Sequence, residues 1–194
     1  MSLDERLVRV ARTCGHSPAA DRAVARFSML GEHAGIWLAV GGAEWLLSKG
    51  ARRARWRRAT ATVAGTYAAN TALKLAVRRV RPRLAGLPPL TSTPTRYSFP
   101  SAHSSTSFAA ALAFGRSGLP SVPLYTLAKA LALSRLYLGV HYPSDIAAGA
   151  LLGTAIAALF GPPARSSPGR APVCARANAH AGALASASTG LAAA

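Results

Sequence analysis

Acidic residues are scarce in this chain of 194 residues: six Asp and Glu stand against 23 Lys and Arg, a formal net charge of +17. Such a balance favours phosphate-bearing partners, whether nucleic acid, anionic lipid or a phosphorylated substrate, without choosing among them. Cysteine is scarcer still. With only Cys14 and Cys174, neither a disulfide scaffold nor a zinc module can be built, and both are expected as free thiols. Zinc-finger spacing and an RNA-binding aromatic signature are missing too, which argues against a nucleic-acid partner. A hydrophobic content of 51% excludes wholesale disorder.

The arginines that are present are segregated. They gather in 51–58 (ARRARWRR) and 78–83 (RRVRPR), and apolar segments lie at about 34–48, 59–77, 104–115, 119–139 and 145–161. A bilayer span wants about 20 apolar residues. The second, fourth and fifth segments approach that length, and the third needs its flanks. Ala, Gly, Ser and Thr dominate them, as where helices approach closely inside a membrane. Glu44, Lys74, Lys129 and Arg135 interrupt the apolar runs. An ionisable residue inside a span is a functional candidate, although Glu44 and Lys129 could also pair or snorkel.

The flanking regions have a different composition. In 1–30, Leu3, Leu7, Val10 and Ala11 share one helical face and Glu5, Arg9 and Arg12 another. This reads equally as an interfacial amphipathic helix or a soluble cap helix, and not as a cleaved signal peptide, because it lacks an unbroken apolar core. The segment 162–194 is rich in Ala, Ser, Gly and Pro and is expected to be a disordered tail.

Three constellations carry chemistry. The first runs from Lys74 to Arg81-Pro82 at the end of the second apolar segment. As a continued helix it would put Lys74, Arg78 and Arg81 on one side, able to grip a phosphate or simply to anchor the span. The second is Phe99-Pro100-Ser101-Ala102-His103 at a helix start, where first-turn N–H groups, the Ser101 hydroxyl and the His103 ring could form an anion pocket with a proton donor, or a plain cap. The third places Arg135 ahead of His141 and Asp145, with Pro143 opening a helix. An Asp holding a His suits a nucleophile or base, and suits equally a hydrogen bond that ties a loop.

In order and spacing, Lys-x6-Arg-Pro, Pro-Ser-x-His and Ser-Arg-x5-His-x3-Asp together resemble the three-part signature of the type 2 phosphatidic-acid phosphatase family, which shares its core with vanadium haloperoxidases. The resemblance implies an all-α membrane bundle of about five spans over 31–161, preceded by the amphipathic region 1–30, with the motifs gathered at one membrane face. It implies a metal-independent phosphatase without a cofactor, located in the bacterial plasma membrane and acting on a lipid phosphate. Carried over by motif position, His141 would attack phosphorus, Asp145 would orient it, and His103 would protonate the leaving oxygen. Lys74, Arg81 and Arg135 would hold the phosphoryl oxygens with Ser101 and the backbone N–H of Ala102, and water would hydrolyse the phosphohistidine.

One departure from the family pattern is Ala102, where Gly is usual, which implies a slightly tighter pocket. The run Leu87-Pro-Pro-Leu-Thr-Ser-Thr-Pro-Thr95 together with SFPSAHSSTSFAAA resembles actinobacterial members, including those acting on decaprenylphosphoryl-5-phosphoribose in cell-wall synthesis. Undecaprenyl diphosphate, phosphatidic acid and phosphatidylglycerol phosphate are the alternative substrates. Two rival readings are a soluble acid phosphatase or haloperoxidase with the same residues, and an inert membrane protein that binds lipid phosphates through its basic edges. Flanking cations divide almost evenly between the two faces, so charge bias assigns no orientation.

Overall fold

The computed structural model describes residues 1–164, which are helical, with isolated bridges and no strand. The expected tail falls, from residue 165 onward, outside the described residues. The first 30 residues form two helices rather than one: α1 (Leu3–Thr13) and α2 (Pro18–Met29). Local chemistry accounts for the break. Gly15 adopts φ +74, and Ser17-Pro18 restarts a helix with Ser17 capping the Ala20 N–H and Pro in the first turn. Helix α1 is closed by a capping box between Ser2 and Glu5.

The faces of α1 are also divided differently from the simple amphipathic picture. Leu3, Leu7 and Val10 are exposed, whereas Val8 and Arg12 are buried against the body of the protein. Arg12 is taken inward because its guanidinium donates to the Pro88 carbonyl at 2.9 Å. The polar side of α1 therefore holds the helix to the bundle, and the apolar stripe faces outward.

A short 3-10 turn (Glu32–Ala34) leads into five longer helices, α3 (Gly35–Leu47), α4 (Gly50–Val77), α5 (Ala102–Ser117), α6 (Ser121–Tyr137) and α7 (Pro143–Phe160). They follow the five apolar segments, with one extension: α4 takes in the arginine cluster as its opening turns. Those arginines satisfy helix ends that have run out of internal partners. Arg55 donates to the carbonyls of Arg116 and Pro163, and Arg58 to that of Phe160 at 2.8 Å. Glu44 pairs with Arg52 at 2.8 Å, as one of its two readings anticipated.

Helix α5 is central, packed against α4, α6 and α7. Its small residues permit this, and so do two glycines on α7. A Cβ on Gly149 would lie 2.6 Å from the Ser101 carbonyl, and one on Gly153 would collide with the Ser105 carbonyl. At the other end of α5, Phe114 packs between Trp56 and Trp37, with ring centroids at 5.1 and 6.2 Å. The Trp37 Nε1 finds its partner in Ser107 Oγ at 2.8 Å.

By length and composition, one helix among the described residues, Pro143–Phe160, is long and apolar enough to cross a membrane. Helices α3, α5 and α6 are shorter, with 13, 16 and 17 residues, and α4 has 28 but opens on arginines.

Candidate active site

Lys74 lies in the last turn of α4, buried with its Nζ near the carbonyls of Tyr97 and Ser98. The helix does not continue to Arg81. It ends at Val77, and Arg78 takes a left-handed conformation, φ 54, that closes the last turn. Pro82 disfavours helical geometry at Arg81. The chain instead runs extended beside 96–98, with Arg81 N–H on the Arg96 carbonyl and Ser98 N–H on the Arg79 carbonyl. Arg81 thus reaches Lys74 by a turn of the chain and not along one helical face. The expectation for Arg78 is overturned: it is exposed and bonds the Leu75 carbonyl, because the left-handed cap swings it away.

Ser101 sits at the N-cap of α5 but does not cap it. Its N–H donates to the Asp145 carbonyl at 3.0 Å, and its buried Oγ has no hydrogen-bond partner among the described residues. Ala102 and His103 follow in the first turn. The His103 Nε2 is 2.9 Å from the Ser28 carbonyl. A carbonyl only accepts, so Nε2 carries the proton. Ser28 also takes a bond on its hydroxyl from Arg135, in the last turn of α6, at 2.8 Å. The end of α2 therefore positions two of the sequence-predicted site residues, a role no spacing rule pointed to.

His141 precedes α7, and Asp145 lies in its first turn, fully buried. The His141 Nδ1 is 3.4 Å from Asp145 Oδ2, and its Nε2 is 3.1 Å from an Arg81 nitrogen. A guanidinium can only donate, so Nε2 presents its lone pair and the ring proton sits on Nδ1, towards the carboxylate. That tautomer is the one a nucleophilic imidazole needs.

Lys74, Arg81, Ala102, His103, Arg135 and His141 line one cavity of about 90 Å³. This is small beside typical ligand clefts of roughly 300–1,000 Å³, and fits a phosphoryl headgroup rather than a whole lipid. Asp145 and Ser101, both fully buried, are not part of the cavity wall. Burial first, and then the charges of Arg81, Lys74 and Arg135, push the His141 imidazole down to about 3, so it is neutral at ordinary pH. Burial and the neighbouring Arg135 lower Arg81 to about 10, which leaves it charged. Glu32, His33, Tyr67, Thr71, Pro94 and Thr95 complete the wall. His33 and Tyr67 are joined at 2.7 Å, and His33 and Ala34 both hold positive φ, of 49 and 60. These wall residues carry no motif and are brought in by the fold. Lys129, the other cation inside an apolar segment, is exposed and lies elsewhere.

The sequence pattern of the PAP2 superfamily matches residues 55–161. Decaprenylphosphoryl-5-phosphoribose phosphatase of Mycobacterium tuberculosis (strain ATCC 25618 / H37Rv) is 43% identical over 135 residues, covering 68% of this chain and 73% of that protein. The protein of the same name from Mycolicibacterium smegmatis is 37% identical over 147 residues, 75% of this chain and 80% of its own. In three dimensions the fold is similar to a transmembrane PAP2-type phosphatidylglycerolphosphate phosphatase from Bacillus subtilis, with a TM-score of 0.67 at 23% identity over 81% of this chain and 82% of that one. The matched segment takes in more than half of the sequence and all three constellations around the cavity, and the chain belongs to the PAP2 superfamily.

Proposed function

We infer that this protein is a membrane phosphatase that removes phosphate from a lipid, and that its substrate is a polyprenyl-linked phosphosugar such as decaprenylphosphoryl-5-phosphoribose. The observation that carries the reaction is the His141 Nε2 lone pair held 3.1 Å from Arg81 in a cavity shared with Lys74, Arg135 and His103. The choice of lipid is supported by relatives of 37% and 43% identity that bear that substrate in their names.

Phosphoryl transfer is mostly positioning plus neutralisation of charge on the phosphoryl oxygens. Lys74, Arg81 and Arg135 supply that charge, and the Ala102 N–H and the Ser101 hydroxyl supply directed donors. When a phosphate takes Arg81, the lone pair of His141 Nε2 is released towards phosphorus. Nε2 forms the new bond, the bond from phosphorus to the lipid oxygen breaks, and His103, protonated once the bound phosphate anion favours its charged form, gives that oxygen its proton. Ser28 holds the Nε2–H of His103, so the exchange runs through Nδ1. Water then attacks the phosphohistidine, His103 takes a proton from it, and inorganic phosphate leaves. Asp145 stabilises the positive charge that His141 acquires.

Helices α3–α7 are read as five spans and 31–161 as the membrane domain. Their interior holds buried Thr66, Asn70, Ser104 and Thr106, whereas Leu47, Val122, Leu151 and Leu159 are exposed on the outside. Apolar groups outside and polar groups within suit a lipid surround. Helix α1 lies along the interface, its Leu3, Leu7 and Val10 stripe towards lipid. A bacterial plasma membrane is the setting.

The test is phosphate release by detergent-purified protein, in the presence of chelator, from phosphatidic acid, undecaprenyl diphosphate and decaprenylphosphoryl-5-phosphoribose. Turnover on the phosphoribosyl lipid that disappears in His141→Ala is expected. Preference for another lipid would overturn the substrate, and equal release by His141→Ala would overturn the mechanism and leave a lipid-phosphate-binding protein.

A further inference from the structure

Asp145 is gripped from two sides. Its Oδ2 faces His141 and accepts the Tyr142 N–H at 2.9 Å, and its Oδ1 accepts from Arg79 at 2.9 Å. Arg79 in turn pairs with Asp4 of α1 at 2.8 Å through its other terminal nitrogen. Ser144 closes the group, with its N–H on Asp4 Oδ1 at 3.2 Å and its hydroxyl shared between Asp4 and Arg79. The guanidinium also lies over the Tyr142 ring, 4.1 Å from the centroid, and the Arg79 carbonyl is tied to the Ser98 N–H at 2.7 Å. Arg79 is absent from the cavity wall and holds Asp145 by Oδ1, the oxygen that does not face His141.

A buried carboxylate near two of the cavity's cations needs such a hold. Lys74 and Arg81 are within Coulombic reach of Asp145, and a carboxylate able to rotate towards them would move away from the His141 Nδ1–H, which it faces at 3.4 Å without a full hydrogen bond and which no other described group accepts. A guanidinium that bridges two carboxylates, one on each terminal nitrogen, is the side chain suited to preventing this. We propose that Arg79 and Asp4 are positioning residues that lock the Asp145 carboxylate onto His141, making the N-terminal helix α1 a working part of the active site. The proposal rests on the phosphatase reading. Arg79 stands in the same cluster as Arg78 and has no signal of its own in the sequence, and Asp4 lies 141 positions before Asp145, so only the fold joins them.

The experiment is steady-state kinetics on the full-length protein in detergent for Arg79→Gln, Arg79→Lys, Asp4→Asn and the double variant Asp4→Asn/Arg79→Gln, with thermal melting to confirm folding. Arg79→Gln is expected to lose about 10- to 100-fold in kcat, the range for residues that orient a functional ligand, with KM changed less than about twofold, because Arg79 does not reach substrate. Arg79→Lys should recover part of the loss. Asp4→Asn should lose several-fold alone and nothing further in the Arg79→Gln background, since it acts through Arg79. Should Arg79→Gln fail to fold, Asp4→Asn and Arg79→Lys carry the same test. Normal turnover in Arg79→Gln, a rise in KM at constant kcat, or losses that simply add would overturn the relay while the phosphatase reading stands. A wild-type protein without turnover on any lipid would overturn both.

Discussion

His141 is where charge, burial and chemistry meet. An ordinary histidine is half protonated near pH 6.5, but this one is pushed down to about 3 by burial and by Arg81, Lys74 and Arg135. Two consequences follow with definite sign. For activity, kcat/KM should not fall through pH 6.5 because of His141; an acid limb near pH 6 would belong to the second ionisation of the phosphate substrate, and a substrate with a lower phosphate pKa should move it. For stability, the unfolded chain takes up a proton below 6.5 that the folded protein refuses. Folding is therefore weakened as pH drops from 6.5 towards 3, and thermal melting in detergent should show a shallower acid slope for His141→Gln. Ser101 offers a second residue-scale check. Its buried hydroxyl has no partner among the described residues, and under the proposed mechanism it donates a hydrogen bond to a phosphoryl oxygen, so Ser101→Ala should lower kcat/KM by about 100-fold. Ala102→Gly should change it by less than about threefold, because both residues offer the same N–H; a rise of orders of magnitude would mean the native site is poorly formed.

At the scale of elements, α5 and α7 place the motif residues of two constellations against each other, and glycine makes this possible. Gly153 has the Ser105 backbone where a side chain would be. Gly153→Leu should force the helices apart and destabilise the fold by about 1–3 kcal/mol or more, visible as a lower melting temperature and loss of turnover together. The small-residue composition of these helices announced close approach, but not which glycine touches which backbone. The five apolar segments map onto α3–α7 because burial pattern and helix length are local properties. The break between α1 and α2 was written in Gly15 and Ser17-Pro18, yet an amphipathic tally over 1–30 smooths over it. The end of α4 misled for a related reason. Counting turns from Lys74 to Arg81 assumes an unbroken helix, and the left-handed Arg78 and Pro82 break it.

For the whole molecule, the length of α4 sets the expected membrane topology. With 28 residues at 1.5 Å rise, α4 runs roughly 42 Å, enough to cross a bilayer. Reporter fusions after Lys49 and after Thr93 should therefore report opposite sides of the membrane; the same side for both would refute the five-span reading. Sequence alone determined the chemistry available: a basic, cysteine-poor, apolar chain with Lys74, Arg81, Ser101, His103, Arg135, His141 and Asp145 at spacings that name a family, since residue type and spacing are carried by the chain itself. Tertiary structure decided who stands next to whom. It set Ser28 against His103 and Arg135, closed the cavity with Glu32, His33 and Tyr67, and reached from Asp4 through Arg79 to Asp145. Such contacts join residues far apart in the chain, and they form only when helices pack; no local periodicity encodes them.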